Sequence, residues 1–312
     1  MNTLIGKYRN GNYKVAIFND GSKFRWNDET FFDAEFPESI DCKITDHCDL
    51  GCAQCHEKST PEGKHGDLNN PILNSLRPYT ELAIGGGNPL DHPGLEEFLE
   101  RMKHQQVICN LTVNLVHFES NYDRLSDFTY RGLIKGLGIS VNRPLHDSEI
   151  KQISTFENAV VHTIAGITSE ETFRSMYDRN IKLLILGYKA WGRGIDYYLY
   201  QRDDVRSKIY QLEDLLRNDM KEHFRLISFD NLATAQLHIK DMVDDATWRE
   251  RYMGDDGCFT MYLDLVENAY AVNSTSDRVP LEGEKDIVDV FRKVKEESEM
   301  IRTAKHVKGT AI

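Results

Sequence analysis

The stretch SIDCKITDHCDLGCAQC, residues 39–55, joins a short alternating run to three of the chain's six cysteines. In the run, Ile40, Cys42 and Ile44 share one face while Asp41, Lys43 and Thr45 share the other, the period-two pattern of a β-strand. The thiols of Cys48, Cys52 and Cys55 follow in a C-x3-C-x2-C spacing, and Gly51 allows the tight turn that would let them converge. A strand feeding directly into such a loop sets soft, metal-seeking ligands at a strand end.

Outward from this point the same rhythm continues. Six further apolar runs, YTELAIG, ICNLTVN, GLGISVN, AVVHTIAGI, IKLLILGYK and FRLISFD, alternate with charged, helix-like stretches such as HPGLEEFLERMKHQ and IYQLEDLLRNDMKEHF. Strand–helix alternation of this kind predicts an α/β fold with a parallel sheet, here a partial (β/α)6 TIM-type barrel over residues 39–240. Strands buried on both faces normally read apolar throughout. In this chain Leu111 and Val113 oppose Asn110, Thr112 and Asn114, and Leu137, Ile139 and Val141 oppose Ser140 and Asn142, so a polar lumen is expected. Residues 1–38 read as an appended β-hairpin, from YKVAIFNDGSKFRW with its Asn-Asp-Gly turn. Residues 241–312 read as an extension made of a β-hairpin turning near Glu267 and Asn268, followed by an amphipathic helix, DIVDVFRKVKEESEMIRTAKH.

Composition narrows the function. With 40% hydrophobic and 28% charged residues the chain can bury a core, which argues against global disorder. A formal charge of −12 opposes a broad nucleic-acid surface. No signal-peptide h-region and no apolar run long enough for a membrane span is present, so a cytoplasmic protein without membrane attachment is expected. Six cysteines in 312 residues are too few for a disulfide scaffold, which leaves metal or redox chemistry for the cluster of three.

A structural zinc site takes four ligands, usually as two separated pairs, and no second pair exists: Cys109 and Cys258 are single and distant, and Cys42 lies on an apolar strand face. Iron–sulfur cubanes also use four cysteines as a rule, so three leave one iron open to a ligand. A zinc-stabilised, non-catalytic interaction module stands as the alternative.

The C-x3-C-x2-C loop after a first barrel strand resembles that of the radical S-adenosylmethionine (SAM) enzymes, and the likeness extends from Ser39 to Asp230. It implies one 4Fe-4S cluster on Cys48, Cys52 and Cys55, with SAM chelating the fourth iron through its amino and carboxylate groups. The second strand ends in AIGGGNP, and by the same resemblance Gly86, Gly87, Asn88 and Pro89 meet the methionyl amino group. Ser140 and Asn142 would bond the SAM ribose or carboxylate, Arg193 would pair with a carboxylate, and backbone near Leu186 would meet adenine. The family carries an aromatic residue before the third cysteine, where this chain has Gln54, which puts the adenine contact there in question.

The implied reaction is one-electron cleavage of SAM to methionine and a 5′-deoxyadenosyl radical that abstracts hydrogen from a substrate. It requires an external reductant of flavodoxin or ferredoxin type and brings oxygen sensitivity. Further candidates are His56, Lys64 and His65 at the barrel mouth and Asp230 as a substrate anchor or strand-end cap, with Tyr188 and Trp191 read as packing. The hairpin around Cys258 resembles the start of a SPASM-type extension, but one cysteine cannot hold an auxiliary cluster, and Cys258 is read as buried or substrate-facing. A peptide or protein substrate is the first reading and a small molecule or nucleotide the second.

Overall fold

The computed structural model describes residues 3–308. Three antiparallel strands come first, β1 (Leu4–Asn10), β2 (Tyr13–Phe18) and β3 (Lys23–Trp26), paired in that order. The expected hairpin is thus β2–β3, turning at Gly21 with φ +87°. The added strand β1 was hidden by its weak alternation around Gly6.

Seven parallel strands follow, each at a run named above: β4 (Ser39–Thr45), β5 (Glu81–Gly86), β6 (Ile108–Asn114), β7 (Gly136–Ser140), β8 (Ala159–Ile164), β9 (Lys182–Leu186) and β10 (Leu226–Phe229). They lie in sequence order across one sheet, with helices in the connections. The outer face packs on those helices: Ile40, Ile44, Leu82, Ile84, Leu111, Ile139, Val161, Leu183 and Ile185 are buried. On the inner face Asn110, Thr112 and Asn114 are half-buried and alternate with buried Cys109, Leu111 and Val113. The polar lining expected from the sequence is strongest on β4 and β6, whereas β8 and β9 turn Val160, Ile164, Leu184 and Leu186 inward.

The C-terminal extension enters the main sheet. Strand β11 (Thr260–Asp264) pairs in parallel with β4, Tyr262 opposite Asp41 and Asp264 opposite Lys43. Strands β12 (Ala269–Ala271) and β13 (Val279–Pro280) then return antiparallel, with Asn268 at φ +50° in the expected turn. Among the described residues no strand pairing joins β10 to β11. Side chains cross that seam: Asn231 donates to Asp256 at 2.7 Å, which Asn273 also holds at 2.8 Å from the extension side, and Lys189 donates to Ser274 at 2.8 Å. The helix Ile287–Lys308 completes the described chain.

The N-terminal strands dock beneath the barrel through Glu38, which is 1% exposed and accepts from Tyr13 at 2.6 Å and from Arg25 Nε at 2.7 Å, with Lys23 at 3.5 Å. Burial opposes the charge of Glu38, but Arg25, Lys23 and the Tyr13 hydroxyl outweigh it and hold the carboxyl below its usual range. The sign follows: this contribution is full above the unfolded carboxyl pKa of about 4.3 and is lost as pH falls. Glu38→Ala leaves two shielded cations short of a partner and is expected to cost about 3–5 kcal/mol in a denaturant titration at pH 7. A loss under 1 kcal/mol would mean the ion pairs contribute little.

Candidate active site at the barrel mouth

The cysteine loop folds back on its own entry. Cys48 N–H donates to Thr60 O at 2.9 Å, Thr60 N–H to Asp46 O at 3.0 Å, and Asp46 N–H to Lys64 O at 2.8 Å. A second fixing comes from the start of the helix Arg193–Asn218. Arg193 N–H donates to Cys55 O at 3.0 Å, while its guanidinium donates to Cys52 O at 3.0 Å and Ser59 O at 2.9 Å. Gly192, at φ +58°, is required here because a Cβ would lie 2.2 Å from His56 O. Arg193, expected at a carboxylate, therefore clasps the loop backbone through Nε and Nη1.

All three cysteines are free and partly exposed. Burial pushes the Cys48 thiol up, and neighbouring Cys52, Asp49 and Cys55 add to this while a Leu50 N–H opposes it. Burial and Cys55 likewise raise Cys52. Thiols such as Cys48 and Cys52 that resist ionising become thiolates readily beside a cation, so the donor set of Cys48, Cys52 and Cys55 suits a soft metal centre.

The GGNP run lies against the entry to this loop. Gly87 N–H donates to Thr45 O and Asn88 N–H to His47 O, both at 2.7 Å. Gly86 has φ +110°, and a Cβ on Gly87 would sit 2.1 Å from His47 O. Asn88 is buried, and its side chain accepts from Leu90 N–H at 3.3 Å, capping the short helical turn Pro89–Asp91. Gly87→Ala is expected to destabilise by about 1–3 kcal/mol. Gly85→Ala, where a Cβ meets nothing within 4 Å, serves as the neutral control, and equal denaturant midpoints for the two variants would refute the close-approach argument.

Ser140 ends β7 half-buried, in register with Asn114 on β6 and His162 on β8. Asn142 is exposed just beyond it. Leu186 O is occupied by Ala165 N–H at 2.8 Å. Lys64 and His65 are exposed, with the His65 ring between those of His47 and His92, at centroid distances of 5.5 and 5.0 Å. Asp230 takes the cap role, accepting from Gly187 N–H at 2.9 Å and Ala233 N–H at 2.7 Å. Tyr188 is buried and donates to Gly194 O at 2.6 Å. Trp191 is partly exposed, at 37%. Cys258 is half-buried and accepts from Arg302 at 3.0 Å.

Two groups escaped the sequence reading. Lys43, 7% exposed, meets Asp46 at 2.7 Å, Glu57 at 3.2 Å and Asp264 at 3.2 Å, tying both flanks of the cysteine loop to β11. Burial works against its charge, and Glu57, Asp46 and Asp264 more than offset that and raise its pKa. A lysine on the inner face of a central strand was the available signal. The other is His117, buried on the helix Leu115–Ser120, which bonds Asp49 at 2.8 Å. Ligand atoms of Cys48, Asp49 and His117 all lie within 4.8 Å of one another. Nothing in the local sequence around His117 marks it, since its partner is 68 residues away.

No family model and no curated protein matches this chain. Solved structures do. Streptococcus suis SuiB bound to the precursor peptide SuiA aligns with TM-score 0.51 and 13% identity over 83% of this chain, which spans only 65% of the SuiB chain. SuiB bound to S-adenosylmethionine aligns with TM-score 0.52 and 12% identity, covering 85% of this chain and 68% of that one. Native anSMEcpe with bound AdoMet and Cp18Cys peptide aligns with TM-score 0.52 and 11% identity, covering 83% and 80%. The chain thus shares the fold of SuiB and anSMEcpe.

Proposed function

We propose that this protein is a radical SAM enzyme that modifies a peptide. The observation that carries the reading is the junction of three free thiols on a clasped loop with the GGNP backbone at the end of the neighbouring strand. Sites at the C-terminal ends of parallel barrel strands are where such folds place their chemistry. Cys48, Cys52 and Cys55 would hold the 4Fe-4S cluster, and Gly86, Gly87, Asn88, Pro89, Ser140 and Asn142 would receive SAM. When bound, the cluster and SAM supply one-electron reductive cleavage and a hydrogen-abstracting organic radical. The chain's own part is positioning. Arg193 fixes the loop backbone, and Lys43 fixes its flanks to β11. The electron comes from an external flavodoxin- or ferredoxin-like donor, and the site belongs to a cytoplasmic, oxygen-sensitive protein. Support for a peptide substrate comes from the peptides named with SuiB and anSMEcpe.

A second reading has one observation in its favour. Cys48, Asp49 and His117 form a set that zinc accepts, which would make the loop a structural clip. Anaerobic reconstitution separates the two. Iron with acid-labile sulfide, and 5′-deoxyadenosine released from SAM under reductant, are expected. One equivalent of zinc without sulfide would overturn the enzyme reading.

A further inference from the structure

We infer that Asp41 anchors a cationic side chain of the substrate, the ammonium of a lysine or the guanidinium of an arginine, inside the barrel lumen. The inference rests on the barrel mouth being the reaction site. Asp41 lies on the inner face of β4, between Ala83 of β5 and Tyr262 of β11 in register, and remains open to solvent within the lumen. The other carboxylates around it are already bound. Asp230 takes two backbone N–H groups, Asp256 takes the amides of Asn231 and Asn273, and Glu57 takes Tyr262 at 2.9 Å, His56 at 3.1 Å and Lys43 at 3.2 Å. Among the described residues no hydrogen bond reaches the Asp41 side chain, and Lys189, the cation facing it, donates to Ser274.

Facing Asp41 are Asp230, Asp256 and Glu57 against Lys189. A carboxylate-rich wall of low local dielectric attracts positive charge strongly. Across the lumen, the His162 ring and the Thr112 hydroxyl fill the space over Gly138. Burial pushes His162 down to about 4, so it stays neutral at pH 7 and adds no competing cation.

Although the Asp41 side chain is open to the lumen, its depth among the strands removes much of its hydration and, with Asp256, Asp230 and Glu57, pushes the carboxyl up to about 6, against the pull of Lys189. A raised carboxyl pKa means that the empty fold is penalised once Asp41 ionises above that value, and that a bound cation relieves the penalty. Asp41→Asn is therefore expected to fold and to melt no lower than wild type at pH 8, as at sites where ligand binding is set against stability.

The test uses the full chain after anaerobic reconstitution, with N-acetyl-lysine methylamide and N-acetyl-arginine methylamide as probes and the norleucine and citrulline analogues as uncharged controls. Ligand-observed NMR is expected to show at least tenfold weaker binding of the controls, and of the cationic probes to Asp41→Asn. Binding of the cationic probes to wild type should fall as pH drops from 7.5 to 5, where neither probe changes charge. Equal binding of charged and uncharged probes overturns the inference. So does unchanged binding in Asp41→Asn, or a loss of SAM affinity in its place. Absence of iron and sulfide in the same preparation would instead remove the radical SAM reading, leaving probe binding to be judged by itself.

Discussion

Cys52→Ala is expected to abolish cluster assembly, taking reconstituted iron from about four per chain to below one and ending SAM cleavage. The substitution is unusually clean because the clasp on this loop uses the Cys52 carbonyl. Arg193 and Cys55 N–H both bond that oxygen, which alanine keeps. Stability of the metal-free variant should therefore match metal-free wild type within about 0.5 kcal/mol, as for changes that remove no packing or buried partner. His117→Ala is the counterpart, and it should leave iron and sulfide content intact. If Cys52→Ala retained its metal while His117→Ala lost it, the Cys48, Asp49 and His117 set would be the true ligands and the loop a zinc clip.

Lys43→Met should destabilise the protein by about 3–5 kcal/mol, because three carboxylates would lose the ammonium between them. Asp264 would keep Arg278 at 3.4 Å, and Glu57 would keep His56 and Tyr262, but Asp46 would keep no ion-pair partner among the described residues. The effect extends beyond stability. Asp46 and Glu57 flank the three cysteines, so releasing Asp46 and leaving Glu57 with only its Tyr262 and His56 contacts loosens the entry to the loop and should lower the fraction of chains that take up a cluster. Denaturant titration of the metal-free protein and iron content after reconstitution give separate readings. A loss below 1 kcal/mol with full iron content would show that Lys43 is incidental.

The strands β4–β10 were legible because each carries an apolar face repeated every second residue and is bounded by charged helices. That pattern is local, and so is the cysteine spacing. Asn268 was legible for a similar reason, since a turn residue acts within its own few positions. What was hidden depends on residues far apart in sequence. The parallel pairing of β11 with β4 cannot be read from TMYLD, which looks like any hairpin strand. His117 acquires meaning only from Asp49, and Lys43 only from Asp264 across the sheet. Arg193 shows the same limit: its position between glycines pointed to a ligand, while the fold brings the carbonyls of Cys52 and Ser59 to it. Asp41 was noted as part of a polar face, but its lack of a partner emerges only once its neighbours are seen to be engaged with one another.

The contact between Lys43 and Asp264 spans 221 residues. A ribosome adding about 5–20 residues per second leaves β4 without its outer neighbour for roughly 10–45 s. Throughout that interval the thiol loop has already been made while β11 has not, so the pairing that seats the outer edge of β4 waits until most of the chain has been synthesised.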